Sequence, residues 1–455
     1  MPSRFARGAR TGGLVILLAA GLDPQADAQA PAAVTANGAP VAASVKPELE
    51  AFDAAWNILR SNYVAEANGH VDWDALRAEL RPRAEAARTT EDARAVIREM
   101  LARIGQSHFV VLPAPVASEL TGPALAPGDV GSLGFDVGPI DGRLVVTGVD
   151  VDGPAQKAGV RAGWVLTRVG QRDVAEAIDG LGDGTPPMRD FRTWALGTAL
   201  LRGHVGERTD LGFLDGADGA VSRQIVRDPE SGQPVNFGHL PTLFARLTTR
   251  EVQHDNVRVG VIGFNVWMTA IAVPFDRAMD RFRHDRGIVI DLRGNPGGVL
   301  TMIMGVSGHF LADPVSLGVI KTRESSLNLV ANPRLVDADG RSVTPFAGPV
   351  AILVDSGSYS ASEIFSGGMQ SIGRARIFGS QTAGGALPAV LERLPGGDVL
   401  QYAIGDFANA KGERIEGRGV VPDTRVVPSR KALLAGDDPV LDAAVDWIAR
   451  QPEIR

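Results

Sequence analysis

One short apolar segment that leads straight into a cluster of serines constrains the fold of this chain more than any other stretch. Residues 350–354 are uniformly apolar and are bounded by glycine, proline and aspartate, which is typical of an interior strand in an α/β sheet. Ser358, Ser360 and Ser362 follow, and apolar residues then recur at helical spacing. The sequence therefore predicts a buried strand, a turn, and a helix that begins at the serines.

Hydroxyl groups at the start of a helix lie beside free backbone N–H groups and the positive end of the helix dipole. Such a place can stabilise a developing oxyanion, so these serines are candidates for a nucleophile. Serine is also a preferred N-cap residue, and Ser358 or Ser360 could have only that structural role. The local pattern alone leaves both interpretations open.

The amino terminus has the features of a secretory signal peptide. Arginines precede a short apolar core, and small residues allow cleavage after Ala28 or after Ala30. We therefore predict a signal peptide at residues 1–30, a flexible leader at residues 31–45, and export to the periplasm or the medium. An uncleaved signal anchor is the alternative. No later apolar run is long enough to span a membrane, so we expect no stable membrane span after cleavage.

The composition narrows the possible chemistry and partners. The chain has 455 residues, no cysteine and a formal net charge of −7. The lack of cysteine excludes disulfides, a thiol nucleophile and thiolate metal ligands. Because charges of both signs are interspersed without a basic stripe, nucleic acid is not an expected partner. The length is sufficient for two or three domains.

Helical periodicity occupies most of residues 46–104. A glycine then precedes a short apolar strand that carries Ser107 and His108 at its start. A lone histidine is more often structural than catalytic, so His108 becomes a catalytic candidate only together with a serine elsewhere. We predict that residues 46–126 form an N-terminal helical subdomain that ends in this strand.

The next segment, residues 127–232, resembles a PDZ domain in the order of its elements as well as in its residues. The loop from Ser132 to Phe135 occupies the place of the carboxylate-binding loop. The resemblance implies that the backbone N–H groups of Leu133, Gly134 and Phe135 bind the carboxylate of a peptide C-terminus, while the peptide pairs with an exposed strand edge. A domain that only packs against the rest of the chain is the alternative.

Strands and helices alternate in the last part of the chain, residues 240–455, which is typical of an α/β domain. The pattern predicts, among others, a strand at residues 257–264 and a final helix at residues 439–449. A buried strand there ends in the motif Asp-Leu-Arg-Gly-Asn-Pro-Gly-Gly, residues 291–298, before another apolar helix. Glycines at such a place let backbone N–H groups approach a ligand closely. The motif has neither the ending nor the spacing of nucleotide-binding loops, so we exclude a nucleotide site.

With these parts in place, the sequence resembles the serine peptidase family that contains the C-terminal-processing (tail-specific) proteases and the core of the tricorn protease. The resemblance is carried by residues 291–298 and by Ser-Tyr-Ser-Ala-Ser-Glu at residues 358–363. It implies an α/β fold with a crotonase- and Clp-protease-like ββα core, an N-terminal helical subdomain and an inserted, β-rich PDZ-like domain. In the family motif the nucleophile stands three residues before the glutamate, which selects Ser360.

The general base distinguishes two branches of this family. The processing branch uses a lysine in a Gly-Lys-Gly context after the serine, and the matching residues here, 382–386, include no lysine. The tricorn-like branch combines a Ser-His pair, the nucleophile and a late glutamate. This chain supplies Ser107, His108, Ser360 and Glu416 in that order. The resemblance therefore implies that His108 is the base and that Ser107 and Glu416 have supporting roles.

The resemblance further implies an oxyanion hole formed by the backbone N–H of Ala361 and that of Gly297 or Gly298, with no metal or other cofactor. It implies an exported serine endopeptidase that cleaves peptides or unfolded proteins through an acyl-enzyme and recognises their C-termini with the PDZ-like domain. The alternatives are a catalytically inactive relative that binds peptides or other ligands, and an esterase with the same residues. With a histidine base of ordinary pKa, kcat/KM is expected to rise with pH through about 6 to 7.5.

Overall fold

The structure is a computed structural model that describes residues 47–64, 70–113, 129–182, 184–236 and 242–452. The predicted signal peptide and leader lie outside these residues. Within the described ranges, no helix is both long and apolar enough to cross a membrane.

The amino-terminal part is helical, as predicted. Its three helices are α1 (Pro47–Asn62), α2 (Trp73–Ala86) and α3 (Thr90–Ala102). Their apolar faces meet in one cluster in which Phe52, Leu80 and Met100 are fully buried. Each helix is amphipathic, and burial of the three apolar stripes against one another holds the subdomain together.

Strand β1 (Val110–Leu112) connects this helical part to the core. It pairs antiparallel with residues 399–401, which come from the carboxyl-terminal half of the chain. Ser107 and His108 lie in the turn between α3 and β1. Their position is therefore fixed on one side by the helices and on the other by a long-range strand pairing.

The middle of the chain forms a β-rich unit with its own apolar core. Its elements are β2 (Val130–Ser132), β3 (Phe135–Ile140), β4 (Arg143–Val149), α4 (Pro154–Lys157), β5 (Val165–Val169), β6 (Arg172–Asp173), α5 (Val174–Asp179), α6 (Pro186–Leu200), β7 (Gly203–His204), β8 (Arg208–Leu214), β9 (Ala220–Val226) and β10 (Asp228–Pro229). One sheet has the order β3-β4-β5-β8-β9, with β6 on β5, and a smaller sheet has the order β10-β2-β7.

Helix α6 packs closely against the larger sheet of this β-rich unit. A Cβ atom on Gly197 would lie 2.7 Å from Val137 Cγ2, so only a glycine permits this approach. The sequence pattern predicts a helix over residues 191–201, whereas α6 begins five residues earlier, at Pro186. Proline is favoured at the first helical position because its missing N–H is not needed there.

The remaining elements form the α/β core. They are β11 (Gln233–Val235), β12 (Leu243–Ala245), β13 (Leu247–His254), β14 (Val257–Phe264), α7 (Ala272–Phe282), β15 (Gly287–Asp291), α8 (Thr301–Gly308), β16 (Val315–Thr322), β17 (Ser326–Ala331), β18 (Val350–Val354), α9 (Ala361–Ser371), β19 (Arg376–Gly379), β20 (Ala389–Arg393), β21 (Val399–Ala403), β22 (Gly405–Asn409), β23 (Thr424–Arg425), α10 (Arg430–Ala435) and α11 (Pro439–Ala449).

The central sheet has the order β13-β14-β15-β18-β19-β23, and all pairs in it are parallel except β13 with β14. Helices α7, α8 and α9 cover one face and α11 covers the other. Strands β15 and β18 are therefore buried on both faces, which explains why their sequences are apolar apart from Asp291 at the end of β15. The predicted α/β fold class is confirmed. The predicted domain boundaries stay predictions.

A buried ion pair ties α3 to the turn between β20 and β21. Arg94 Nε donates to Asp398 Oδ2 at 2.9 Å, and Arg94 Nη2 donates to Asp398 Oδ1 at 3.0 Å. Both side chains are nearly inaccessible, with 8% and 6% of their surface exposed. A bidentate pair of this kind fixes the orientation of both partners. It therefore helps to place the turn that follows α3.

We predict that Asp398→Ala lowers the free energy of unfolding by about 3 kcal/mol, because it leaves the Arg94 guanidinium buried with one partner fewer. Urea unfolding followed by circular dichroism measures the change. Asp74→Ala is the matched control, since its pair with Arg60 is exposed and should contribute little. Equal losses in the two variants would contradict the prediction.

Candidate active site

Two of the three serines at the start of α9 have structural roles. Ser358 is fully buried, and its Oγ donates to the Leu292 carbonyl at 2.8 Å. Ser362 is fully buried as well; its Oγ accepts a hydrogen bond from Trp267 Nε1 at 2.9 Å and donates to the Asn295 carbonyl at 2.8 Å. Both hydroxyl protons are thus directed to backbone carbonyls, away from any base.

Ser360 differs from its two neighbours in exposure and in backbone conformation. It is partly exposed and is the N-cap residue of α9, with φ +54° and ψ −117°. Its N–H donates to the Gly385 carbonyl at 3.0 Å and to Glu363 Oε2 at 3.2 Å. A non-glycine residue at such angles stores roughly 1–3 kcal/mol of strain and persists only where the surroundings enforce it. Strain of this kind is typical of functional positions.

The glycine loop between β15 and α8 lies directly against Ser360. Gly297 has φ +102°, and a Cβ atom on it would lie 2.8 Å from Ser360 Cβ and 2.9 Å from Ala361 N. Only glycine allows the loop to come this close. The N–H of Gly297 donates to Asn295 Oδ1 at 3.0 Å. Of the two predicted alternatives, this geometry favours Gly298 as the partner of Ala361 in an oxyanion hole.

Glu416 joins the carboxyl-terminal part of the chain to the Ser-His pair. Its Oε1 accepts the N–H of Ser107 at 3.0 Å, and its Oε2 accepts the Ser107 hydroxyl and the Ala386 N–H, both at 2.9 Å. Ser107 Oγ lies 2.7 Å from His108 Nδ1. Because the single hydroxyl proton of Ser107 goes to Glu416, Ser107 Oγ must accept from His108 Nδ1–H. The Nε2 atom of His108 then carries the lone pair that a general base needs.

The ring of Tyr359 brings His108 and the serine turn together. The His108 and Tyr359 rings stack with centroids 4.9 Å apart, and Tyr359 Oη lies 3.4 Å from His108 Nδ1. Phe191 of α6 stacks on the same tyrosine at 4.2 Å, and Trp194 stacks in turn on Phe191. Ser360 follows Tyr359 directly in the chain. Tyr359 thus contacts the predicted base, from which it is 251 positions away in the chain, and directly precedes the predicted nucleophile.

Burial changes the acidity of two of these groups. It lowers the pKa of His108, only 4% exposed, to about 3. Burial raises the pKa of Glu416, while the N–H groups of Ser107 and Ala386 act in the opposite direction. The expectation that His108 titrates at about 6 to 7.5 is therefore wrong for the free protein. A buried imidazole resists protonation because its charged form loses its hydration.

The site also contains a carboxylate to which the sequence analysis gave no role. Glu363 is fully buried, and its oxygens accept hydrogen bonds from Thr382 Oγ1, Gly384 N and Gly385 N at 2.5, 2.7 and 2.9 Å. Glu363 therefore fixes the loop of residues 382–385. In the sequence, this loop corresponds to the segment that carries the lysine in the processing branch. The sequence does contain one signal for the importance of Glu363: it is the single charged residue of α9, whose other residues are mostly small or apolar.

The His108 pocket is a cavity of about 460 Å³. It is lined by Ser107, His108, Tyr359 and Glu416, and by Met188 and Arg192 of α6. Helix α6 therefore covers the pocket of Ser107, His108 and Glu416, and Ser360 is not among the residues that line this pocket. In the part of the chain that the structure describes, no three His, Asp or Glu side chains are grouped so that they could hold a metal ion.

A second cavity, of about 380 Å³, is lined by residues of α6, of β3 and of the core strand β13. We call it the α6–β3 groove. The predicted carboxylate-binding residues Leu133 and Phe135 line it together with Trp194 and Leu201. The N–H of Gly134 donates to Ser132 Oγ at 3.1 Å, so this amide already has an acceptor.

We predict that the His108 imidazole stays neutral from pH 5 to pH 8, with its proton on Nδ1, because its pKa of about 3 lies below this range. Nitrogen-15 NMR of the imidazole rings measures both the tautomer and the titration, and His108→Gln identifies the signals. His204, which is exposed, provides an internal control. A midpoint near 6.5 for His108 would contradict the prediction.

Comparison with known families and structures agrees with this geometry. Residues 258–426 match the model of peptidase family S41, and residues 48–102 match that of the tricorn protease C1 domain. A probable CtpA-like serine protease of Staphylococcus haemolyticus is 25% identical over 324 residues, which are 68% of this chain and 58% of the relative. The chain therefore spans little more than half of the length of such relatives.

Two solved structures share the fold. The photosystem II D1 C-terminal processing protease matches with a TM-score of 0.57 and 21% identity over 86% of this chain and 98% of its own. Mature CPAF matches with a TM-score of 0.58 and 14% identity over 90% and 99% of the two chains. At these identities the similarity concerns the fold. Residues 258–426 therefore belong to peptidase family S41, and the chain is similar to the C-terminal-processing proteases of that family.

Proposed function

We propose that this chain is a serine peptidase with Ser360 as nucleophile and His108 as general base. One observation carries the proposal: the hydrogen-bonded chain from Glu416 through Ser107 to His108 leaves Nε2 as the acceptor. The match to the S41 family model and the similarity to a CtpA-like serine protease support the coarser part of the proposal, a serine peptidase. The strained and partly exposed Ser360, stabilised from two sides, fits the nucleophile.

In the proposed reaction Ser360 Oγ attacks the scissile carbonyl and gives its proton to His108 Nε2. The imidazolium then protonates the leaving amine, and a water molecule hydrolyses the acyl-enzyme by the reverse proton path. The N–H groups of Ala361 and Gly298 bind the oxyanion, each contributing about 3 kcal/mol to transition-state stabilisation. Since burial opposes the imidazolium, Glu416 has to stabilise it through Ser107 as it forms.

We predict that Ser360→Ala reduces kcat by at least about 10³-fold, because the remaining groups cannot form an acyl-enzyme. Peptide hydrolysis and labelling by a fluorophosphonate probe are the measurements, and labelling should disappear. Ser371→Ala, in the last turn of the same helix, is the control and should retain activity and labelling. Equal labelling of the Ser360→Ala protein would assign the nucleophile to another residue.

We further propose that the substrates are peptides or unfolded proteins whose C-termini bind in the α6–β3 groove of the PDZ-like domain. The groove is lined by apolar side chains, among them Leu133, Phe135 and Trp194, which suit an apolar terminal residue. Arg202, just after α6, adds a positive charge. Burial lowers the pKa of Arg202, and the nearby Glu230 acts in the opposite direction. A desolvated guanidinium suits a carboxylate.

We predict that a peptide with a free carboxyl terminus binds at least ~10-fold more tightly than the same peptide amidated, a difference of about 1.4 kcal/mol. Isothermal titration calorimetry measures both affinities. Arg202→Gln should remove most of the difference, whereas Arg189→Gln, which removes an exposed charge from α6, should leave it intact. Equal affinity for acid and amide in the wild-type protein would exclude recognition of the carboxylate.

Export through a signal peptide at residues 1–30 is part of the proposal and relies on the sequence of that segment. The alternative function is an inactive peptide-binding relative. The lack of a lysine in residues 382–386 and the cover of α6 over the His108 pocket favour this alternative. The fluorophosphonate experiment separates the two, because an inactive relative would not be labelled at any pH.

A further inference from the structure

Glu363 is fully buried beside the proposed nucleophile, yet the catalytic steps above assign it no part. Four hydrogens point at its two oxygens: Oε1 accepts those of Thr382 Oγ1 and Gly384 N, and Oε2 accepts those of Gly385 N and Ser360 N. An ionised carboxylate has about four lone-pair positions, so these donors fill it. A neutral carboxyl group accepts one hydrogen bond fewer and brings a hydrogen of its own.

The two acceptors of the Ser360 N–H both depend on Glu363. One is Glu363 Oε2 itself, and the other is the carbonyl of Gly385, whose own N–H is bonded to Glu363. The strained angles of Ser360, φ +54° and ψ −117°, are maintained by these contacts. Loss of one contact at Glu363 therefore weakens the conformation that presents Ser360 Oγ.

We propose that Glu363 is a positioning residue whose ionised carboxylate holds Ser360 in its reactive conformation, so that protonation of Glu363, and not of His108, switches off the peptidase at acid pH. This inference rests on the proposed peptidase function. It predicts an acid limb, meaning a fall in kcat/KM towards low pH, that belongs to a carboxyl group in α9.

The acidities of the two residues agree with this assignment. Burial raises the pKa of Glu363 to about 7, although its donors in the 382–385 loop act in the opposite direction. Burial lowers the pKa of His108 to about 3. As the pH falls from 8 to 6, Glu363 gains a proton while His108 remains neutral. An acid limb in this range therefore reports on Glu363.

Glu416 and Tyr359 are titratable neighbours that interact with Glu363. Glu416, from the loop after β22, is an acidic neighbour that raises the pKa of Glu363 further. Tyr359, from the turn before α9, is kept neutral because burial raises its pKa well above the ordinary value. Removal of the Glu416 charge should therefore move the acid limb to lower pH without abolishing it.

A second helix in the chain, at whose start a carboxylate also accepts the N–H of the N-cap residue, provides a matched control. At the start of α3, Asp92 accepts the N–H of Thr89 at 3.0 Å, just as Glu363 accepts the N–H of Ser360. Asp92 is on the exposed face of the helical subdomain. Asp92→Asn removes the same kind of helix-cap carboxylate far from the site, so it separates a general loss of stability from the proposed effect.

The experiment measures kcat and KM from pH 5 to pH 9 for the wild-type protein, Glu363→Gln and Asp92→Asn. We expect the wild-type protein and Asp92→Asn to show one acid limb near pH 7. Glu363→Gln should lack this limb and have kcat lowered by about 10²-fold with little change in KM, as a misplaced nucleophile gives. A limb at the same pH in Glu363→Gln would overturn the proposal.

Two further variants remove the remaining ambiguities. In Glu416→Gln the limb should shift to lower pH; if it vanished, Glu416 would be the titrating group and the proposal would be wrong. If Glu363→Gln fails to fold, Glu363→Asp takes its place, and it should keep a limb while kcat falls. Fluorophosphonate labelling of the wild-type protein separates failure of the peptidase function from failure of the role of Glu363. A lack of labelling refutes the peptidase function, whereas labelling together with a kcat/KM that does not change with pH refutes only the role of Glu363.

Discussion

The carboxylate of Glu416 is the contact on which the arrangement of the site depends. Its hydrogen bonds to Ser107 and Ala386 connect the turn after α3, the loop before β20 and the segment after β22. Burial of a charge of this kind is unfavourable unless donors surround it. Three donors do so here, and two of them belong to the residue that orients His108. This contact therefore acts together with the β1–β21 pairing and the Arg94–Asp398 ion pair in fixing the turn of Ser107 and His108 against the core.

Local signals were sufficient to predict much of the fold. The strand β14 (Val257–Phe264) and the last helix, α11, have the bounds that the pattern predicts, since one is apolar except for Arg258 and the other starts at an Asp-Pro pair. The start of α6 was predicted too late because the pattern followed the apolar periodicity and overlooked the paired prolines before it. The pairing of β1 with β21 has no local signal at all.

Only those residues of the site that belong to a family sequence motif could be predicted. Ser107, His108, Ser360 and Glu416 could be named because their order matches a family pattern, and the structure places Ser107, His108 and Glu416 in one hydrogen-bonded chain. The roles of Glu363 and Tyr359 were not predictable in this way. A glutamate in the first turn of a helix is usually a surface residue whose negative charge interacts favourably with the positive end of the helix dipole. Only the fold reveals that a loop about twenty residues later closes over it.

The stack of aromatic rings that runs from His108 through Tyr359 and Phe191 to Trp194 has a consequence for domain exchange. Phe191 and Trp194 lie less than one helical turn apart on α6, and Trp194 also lines the groove of the β-rich unit. A chimera that imports this unit from a relative would replace the two rings of the stack that come from α6. Such a graft should keep the stack beside His108 only where the donor helix carries aromatic rings at both positions.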